Sequence, residues 1–464
     1  MIKQFLLIIT LSLITGYLTY SATDSIFSLS LQIPAYSGQN IDVGYTYGSK
    51  ILLKDQIKLN SHGYSQYSGI EHEGIYFIRL ADSTSFEFMI TQPGYYVVQI
   101  NDGKMNIEGN AACEAYHRYI HSISVKLHLI DSLKNISHKT IDPVLLIILR
   151  KKIEEYQSAI DSMTSDLAEK YCGSFLGNYA KALLPIDVSL VDISQNRMVS
   201  DSGNILNKLW LYRKHYFDNT DFNDPRLIYT PVLEDKIISY LDRMVYNSPD
   251  SICTAIDIIL TRSQDTEVTR FLATLLLERY CKLKHLEPGE KVYVYLVNHF
   301  FLAGKAPWLS DSDIRLLTEE AQKMQAVLSG TVVPEIVLTD ASGRECSLLA
   351  IQKEITILVF WDFQCPTCKR IIQDLINLTE KKYFLDLQVY TIYTGKEIDI
   401  WKAWNYKKLP GTWINTIQNP ENPVSVQFNI SHIPSLFILD KNKVIVRKNI
   451  TVPQLESYLS EYMK

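Results

Sequence analysis

The sequence predicts a multidomain chain with an N-terminal antiparallel β sandwich, an all-α middle region and a C-terminal α/β unit. Three observations support this fold class. Apolar residues recur at every second position from about residue 26 to 107 and at helical spacing from about 112 to 330; strand and helix patterns then alternate to the end. At 464 residues, the chain is long enough for two or three domains.

The composition is that of a globular protein. Hydrophobic residues make up 47% of the chain and charged residues 21%, so neither class is depleted enough to indicate long disorder. The net charge is -5, and Lys and Arg are scattered along the chain. Nucleic acid is therefore not an expected partner.

The first residues have the pattern of a secretory signal peptide. "MIKQFLLIITLSLITGYLTYSATDS" places the cation Lys3 before an apolar run that ends at Leu18, and small residues follow. The run is shorter than the roughly 20 residues that a membrane-spanning helix needs, so a retained anchor is the less favoured interpretation. We expect cleavage near Ser21 or Ala22, an exported protein and no integral membrane span afterwards.

Residues 23–111 are predicted to form the β domain. In "FSLSLQI" the apolar residues alternate with polar ones, as in a half-buried strand. Turn residues separate such runs, at His62-Gly63, Pro93-Gly94 and Asn101-Asp102-Gly103. Short strands joined by tight turns predict a small antiparallel sandwich.

Residues 112–330 are predicted to form connected helices, as a bundle or a helical array. The stretch "DPVLLIILRKKIEEYQ" has apolar side chains at helical spacing, at Leu145, Leu149, Ile153 and Tyr156. Helix starts are indicated by Ser248-Pro249-Asp250 and by the acidic run that begins at Ser310.

Residues 331–464 are predicted to form an α/β domain. "EIVLTDASGRECSLLAI" indicates a β-hairpin, and "ITILVFW" is a continuous apolar run typical of a central strand covered on both faces. A helical stripe and the strand "LQVYTIY" follow. This order predicts a βαβ unit with a right-handed crossover.

Two cysteines in "FWDFQCPTCKRII" lie at the junction of that strand and that helix. The helix dipole and the free backbone N–H groups favour a thiolate at Cys365, and the thiolate is the form that attacks disulfides. Pro366 suits the first helical turn and leaves the amides of Thr367 and Cys368 free to face the sulfur. Cys368, one turn deeper, is placed to resolve a mixed disulfide.

Other interpretations of the cysteine pair are a metal half-site and a chance arrangement. Structural zinc would need two more ligands, but there is no second CxxC, and His432 is the only histidine after His299. The other five cysteines are dispersed, as small buried hydrophobes are, although an exported chain can pair some of them. We therefore predict a redox pair that needs no metal and no organic cofactor.

"VFWDFQCPTCKRII" followed by "FNISHIPSLFILDKNKVIV" resembles the thioredoxin fold of the TlpA/ResA-type thiol-disulfide oxidoreductases, which are exported bacterial proteins. The resemblance implies a thioredoxin fold over residues 331–464, with a cis Ile433-Pro434 bond opposite the cysteines. Ile433 and Pro434 would then hold a substrate strand, and Trp361 would contribute to that contact. The order of the regions, with "HYFDNTDFNDPRLIYTPVLEDKI" in the helical one, resembles a multidomain subset whose first two domains have no known function.

The chain departs from this family at two positions. Val359 stands where thioredoxins carry a buried acid, and Ile371 stands where the ResA type carries a glutamate. Such a carboxylate relays the proton of the resolving thiol, so Asp362 or a water would have to replace it. His432 either tunes the thiolate or is a solvated loop residue.

Two functional hypotheses follow. The first is a thiol-disulfide oxidoreductase of the periplasm or cell envelope of a Gram-negative bacterium, which exchanges disulfides with protein thiols and an unidentified redox partner. Sequence does not set its direction of electron flow. The alternative is a cell-envelope binding or assembly protein whose thioredoxin-like domain is structural.

Overall fold

The computed structural model describes residues 27–186, 209–284, 287–380 and 386–462. The predicted signal peptide, residues 1–22, lies outside the described residues. Of the described residues, 27–246 and 254–275 belong to a first compact unit, and the others belong to a second. The predicted domain limits at residues 22, 111 and 330 stay a prediction.

The first unit contains two four-stranded sheets, with strand orders β4-β1-β7-β8 and β3-β2-β5-β6. Alternate residues of each sheet enter a common core, such as Leu31 of one sheet and Val43 of the other. The strands are β1 (Phe27–Gln32), β2 (Asn40–Tyr47), β3 (Lys50–Lys58), β4 (Tyr64–Tyr67), β5 (Gly74–Arg79), β6 (Ser85–Ile90), β7 (Gly94–Asn101) and β8 (Lys104–Glu108).

One strand pair departs from the predicted antiparallel arrangement. β1 and β7 are parallel, with Leu29 opposite Tyr96 and Leu31 opposite Val98. The prediction was wrong for this pair because turn residues report only on strands joined by a tight turn. The chain between β1 and β7 contains β2 to β6, so their relative direction depends on a long crossover that no local pattern specifies.

The two long helices of the middle region begin at polar caps that the sequence displays. Asn110 accepts hydrogen bonds from the backbone N–H groups of Ala112 and Cys113, and Asp142 caps the helix that starts at Pro143. The helices are α1 (Ala111–Ser137), α2 (Pro143–Lys170), α3 (Phe175–Leu183), α4 (Val232–Arg243), α5 (Pro249–Thr261), α6 (Thr266–Leu283), α7 (Gly289–Leu296) and α8 (Asp311–Gln325). No described helix is long and apolar enough to cross a lipid bilayer.

An aromatic contact joins the β strands of the first unit to its helical part. The ring of His72 stacks on Tyr229 with 3.5 Å between the centroids, and Arg226 bridges the carboxylates of Glu73 and Asp224 at 2.9 and 2.7 Å. Burial lowers the pKa of His72 from 6.5 to about 4. The structure therefore holds this imidazole in its neutral form.

The stability of the first unit is expected to fall in mild acid because of His72. Below pH 6.5 the unfolded chain binds a proton that the folded chain excludes until about pH 4, so the free energy of unfolding decreases with pH across this window. Between pH 7 and 5 the loss should be about 2 kcal/mol, measured by urea unfolding. His72→Phe keeps a ring on Tyr229 and should remove this part of the pH dependence; an unchanged dependence would contradict the assignment.

The second unit contains a seven-stranded sheet of order β10-β9-β13-β12-β11-β14-β15. Every residue of β11 is buried, as its apolar run predicts, and β11 pairs in parallel with β12 and antiparallel with β14. The strands are β9 (Val337–Asp340), β10 (Glu345–Ser347), β11 (Ile355–Trp361), β12 (Leu387–Tyr393), β13 (Ile414–Ile417), β14 (Ser435–Leu439) and β15 (Ile445–Lys448). The helices are α9 (Pro366–Thr379), α10 (Ile398–Lys408), α11 (Val424–Gln427) and α12 (Val452–Tyr462).

A buried ion pair attaches α7 to the edge strand β15 within the second unit. The ammonium of Lys448 lies 2.5 Å from Oε1 of Glu290, and the two side chains are 6% and 7% exposed. The same ammonium donates a hydrogen bond of 2.6 Å to the carbonyl oxygen of Val327. The α/β sheet and the last helices before it therefore share a desolvated polar contact.

Candidate active site

Both cysteines of the CxxC motif lie in the first turn of α9. Cys365 is the N-cap residue, Pro366 occupies the first helical position, and the backbone N–H of Cys368 donates a hydrogen bond of 3.3 Å to the sulfur of Cys365. Both are free thiols; Cys365 is partly exposed, whereas Cys368 is completely buried. A sulfur at a helix N-terminus receives partial positive charge from the helix dipole, and a partly exposed cysteine there can react with an external disulfide.

The buried position of Cys368 makes its thiol hard to ionise. Burial raises its pKa to about 12, and the hydrogen bond with Cys365 and the charge of Asp362 act in the same direction. A resolving step through this thiol therefore requires a group that takes its proton as the sulfur attacks.

Asp362 organises the loop between β11 and α9. Its Oδ1 accepts a hydrogen bond of 2.7 Å from the backbone N–H of Gln364, and its carbonyl oxygen accepts one of 3.2 Å from the N–H of Cys365. Asp side chains commonly form such a turn, and here it places Cys365 at the start of the helix.

Asp362 also lies close to Tyr393 and Gly395, two residues that the sequence analysis did not identify. Oδ2 of Asp362 and the hydroxyl of Tyr393 both lie within 2.8 Å of the point where a Cβ on Gly395 would stand. Tyr393 donates a hydrogen bond of 3.1 Å to Glu397. Because β12 runs parallel to β11, its carboxyl end lies at the same sheet edge as the cysteines, and this rule could have indicated Tyr393 from the strand pattern.

Ile433 and Pro434 lie at the same end of the sheet as the cysteine motif. Their peptide bond is cis, and it directly precedes β14, whose first residue, Ser435, pairs with Phe360 near the end of β11. Ile433 and Cys365 are both partly exposed and pack against the same apolar core. The structure thus brings the prolyl segment and the CxxC motif to one edge of the domain.

Trp361 does not take the position expected of a partner contact. The side chain is completely buried, and its ring packs against Tyr393 at 5.9 Å and Trp404 at 4.9 Å between centroids. Because β11 is a central strand covered on both faces, this last residue of the strand is directed into the core and has no exposed surface for a partner contact. Its ring belongs to the buried cluster that also contains Phe363 and Cys368.

The structure also places Val359, Ile371 and His432, which the sequence analysis singled out. Val359 is fully buried in the core, and Ile371 is partly buried on α9. His432 is exposed, with its Nδ1 3.2 Å from the hydroxyl of Ser431. Within the described ranges, no cluster of His, Cys, Asp and Glu side chains is arranged to hold a metal ion.

Replacing Asp362 by asparagine is expected to lower the pKa of Cys368 and so to raise its thiolate fraction at a fixed pH. Asp362→Asn keeps an oxygen that can accept the Gln364 N–H but removes the negative charge that helps to raise the pKa of Cys368. In a Cys365→Ala background, alkylation of Cys368 at a fixed alkaline pH should then become severalfold faster. Asp362→Ala, which also removes the turn, separates the charge effect from loop rearrangement; an unchanged or slower Asp362→Asn rate would contradict the expectation.

Comparison with known proteins supports the interpretation of the C-terminal part of the chain as a thioredoxin-like domain. Residues 329–448 match the AhpC/TSA family, and residues 206–325 match a domain of unknown function, DUF5106. The thiol-disulfide oxidoreductase ResA of Geobacillus kaustophilus is 25% identical over 146 residues, which are 29% of this chain and 78% of that protein. ResA of Geobacillus thermodenitrificans gives the same identity and coverage.

Solved structures from two further bacteria are similar to parts of the chain. A thioredoxin-like protein from Bacteroides caccae covers 58% of this chain and 97% of its own, with 22% identity and a TM-score of 0.46. A domain of a possible thiol-disulfide isomerase from Cytophaga hutchinsonii covers 29% of this chain and 92% of its own, with 32% identity and a TM-score of 0.26. The AhpC/TSA match includes both cysteines and the Ile433–Pro434 bond, and with the ResA relatives it places the C-terminal part of this chain in the TlpA/ResA-type family of thioredoxin-like thiol-disulfide oxidoreductases.

Proposed function

We propose that the protein is an exported thiol-disulfide oxidoreductase that exchanges disulfides with protein partners through Cys365 and Cys368. The observation that carries this proposal is the partly exposed Cys365 at the N-terminus of α9, with the N–H of Cys368 directed at its sulfur. This arrangement stabilises negative charge on a sulfur that a partner can reach.

The reaction proceeds in two exchanges. The thiolate of Cys365 attacks one sulfur of a partner disulfide, a new S–S bond forms, and the second partner sulfur leaves as a thiolate. Cys368 then loses its proton and attacks the sulfur of Cys365, which releases the reduced partner and leaves a Cys365–Cys368 disulfide. Two electrons pass to the partner, and the reverse sequence oxidises a partner dithiol.

Ile433 and Pro434 are proposed to hold the partner while these exchanges occur. Their position at the start of β14, at the same sheet edge as Cys365, supports a docking place for an extended segment of the partner. The bond changes themselves involve only the two thiols and the partner disulfide. Asp362 is proposed to accept the proton of Cys368, directly or through a water.

The proposed setting is the periplasm or cell envelope of a Gram-negative bacterium. It rests on the predicted signal peptide over residues 1–22, and thiols of exported proteins are the partners expected there. We propose that the exported protein consists of a β sandwich, a helical domain and the thioredoxin-like domain. The common core of the two N-terminal sheets supports the first of these.

Trapping of a mixed disulfide tests the proposal. Cys368→Ala should accumulate partner proteins bound to Cys365, since the second exchange is blocked, and non-reducing gels should show adducts that a reductant releases. Cys365→Ala is the matched control and should trap none. If Cys368→Ala traps nothing and the intact protein reduces no disulfide, the proposal fails and the binding or assembly hypothesis replaces it.

A further inference from the structure

The connection between α1 and α2 exposes an unusual concentration of apolar side chains. We call residues 134–151, the end of α1, the connecting loop and the start of α2, the hairpin tip. Its large exposed hydrophobic residues are Ile136 at 47%, Ile141 at 96%, Val144 at 65%, Ile147 at 69% and Ile148 at 59% of their full accessible area. Soluble proteins rarely expose a contiguous patch of this kind unless it binds something.

Most of the hairpin tip is not covered by the rest of the first unit, because Leu149 is the one buried side chain of residues 134–151. Between Ile130 of α1 and Leu149 of α2 no side chain is buried, although both helices bury residues elsewhere, such as Tyr119 and Leu167. Helical apolar residues at such a site are normally part of a core. Here their exposure leaves them available to an external apolar phase.

Basic residues accompany the apolar ones. The hairpin tip carries Lys134, Lys139, Arg150 and Lys151, all of which are exposed, and a single acid, Asp142. Asp142 is engaged as the N-cap of α2, where it accepts hydrogen bonds from the N–H groups of Val144 and Leu145. The tip therefore has a net positive charge in a chain whose net charge is -5.

We propose that the hairpin tip docks on the surface of an anionic lipid bilayer. The exposed isoleucines enter the boundary between headgroups and acyl chains, while the long basic side chains reach the lipid phosphates. An isologous contact between two copies through this patch would instead place like charges against each other, which disfavours a second copy as the occupant. The inference does not depend on the cysteine chemistry and goes beyond the proposed oxidoreductase function.

Vesicle co-sedimentation of the full chain tests this inference. Binding is expected to phosphatidylcholine vesicles that contain roughly a third phosphatidylglycerol, and to be at least tenfold weaker with phosphatidylcholine alone, since each basic residue near an anionic surface contributes about fivefold. Ile147→Ser with Ile148→Ser should weaken the binding to anionic vesicles by about tenfold or more.

The matched control is Ile51→Ser with Leu53→Ser on β3, where the side chains are also exposed, at 66% and 54%. This variant should bind as the unaltered chain does. All variants share the same N-terminal segment, so any binding by that segment is common to them. Lys139→Gln with Lys151→Gln should remove most of the preference for anionic vesicles.

Three results would overturn the inference. The first is the absence of binding to anionic vesicles, and the second is equal binding by the tip and β3 variants. The third is a concentration-dependent dimer, seen by analytical ultracentrifugation, that Ile147→Ser with Ile148→Ser dissociates, because the patch would then bind a second copy. None of these results bears on disulfide exchange, so failure here is distinguishable from failure of the proposed function.

Discussion

Glu290→Ala is expected to lower the free energy of unfolding of the second unit by about 3–5 kcal/mol, because it leaves a buried ammonium without its counter-ion. Lys448 and Glu290 are 6% and 7% exposed, so water cannot replace the missing carboxylate. The carbonyl oxygen of Val327 remains as an acceptor but carries no full charge. The uncompensated charge, rather than the loss of one hydrogen bond, accounts for the size of the effect.

Urea unfolding followed by tryptophan fluorescence measures this loss. The double variant Glu290→Leu with Lys448→Met removes both charges and keeps the site filled, and it should return to within about 1 kcal/mol of the unaltered chain. Asp386→Ala, which breaks an exposed pair with Lys353 in the same unit, serves as the surface control and should change little. A Glu290→Ala protein as stable as Asp386→Ala would show that the buried pair does not hold α7 to β15.

Cys365→Ser is expected to reduce disulfide exchange to the uncatalysed background. The serine hydroxyl is not ionised near neutral pH and cannot form the mixed disulfide, so the first exchange has no nucleophile. The N-cap position tolerates serine well, and the fold should be retained. Reduction of insulin in the presence of dithiothreitol, followed by turbidity, measures the activity.

Cys172→Ser is the matched control for this variant. Cys172 is an exposed thiol, but it lies in the first unit and has no neighbouring cysteine in sequence. Its loss should leave the rate unchanged. Substantial activity in Cys365→Ser, or a comparable loss in Cys172→Ser, would assign the exchange to a different thiol.

Local sequence patterns anticipated most of the secondary structure around the candidate site. The apolar run of β11 and the helical stripe of α9 are local features, and the CxxC motif lies at their junction as predicted. The helix start at Pro249 and the cap at Ser310 also follow directly from residue types that satisfy free N–H groups. Such features depend on neighbours a few positions away.

Sequence alone determined the cysteine pair and the order of the strands and helices near it, because each depends on adjacent side chains. Only the tertiary structure decided that β1 and β7 run parallel, that Trp361 faces inward and that Tyr393 stands beside Asp362. It also decided that Lys448 meets Glu290 across 158 positions of the chain. These contacts join residues far apart in sequence, and their geometry follows from how the sheets and helices pack, which no local periodicity encodes.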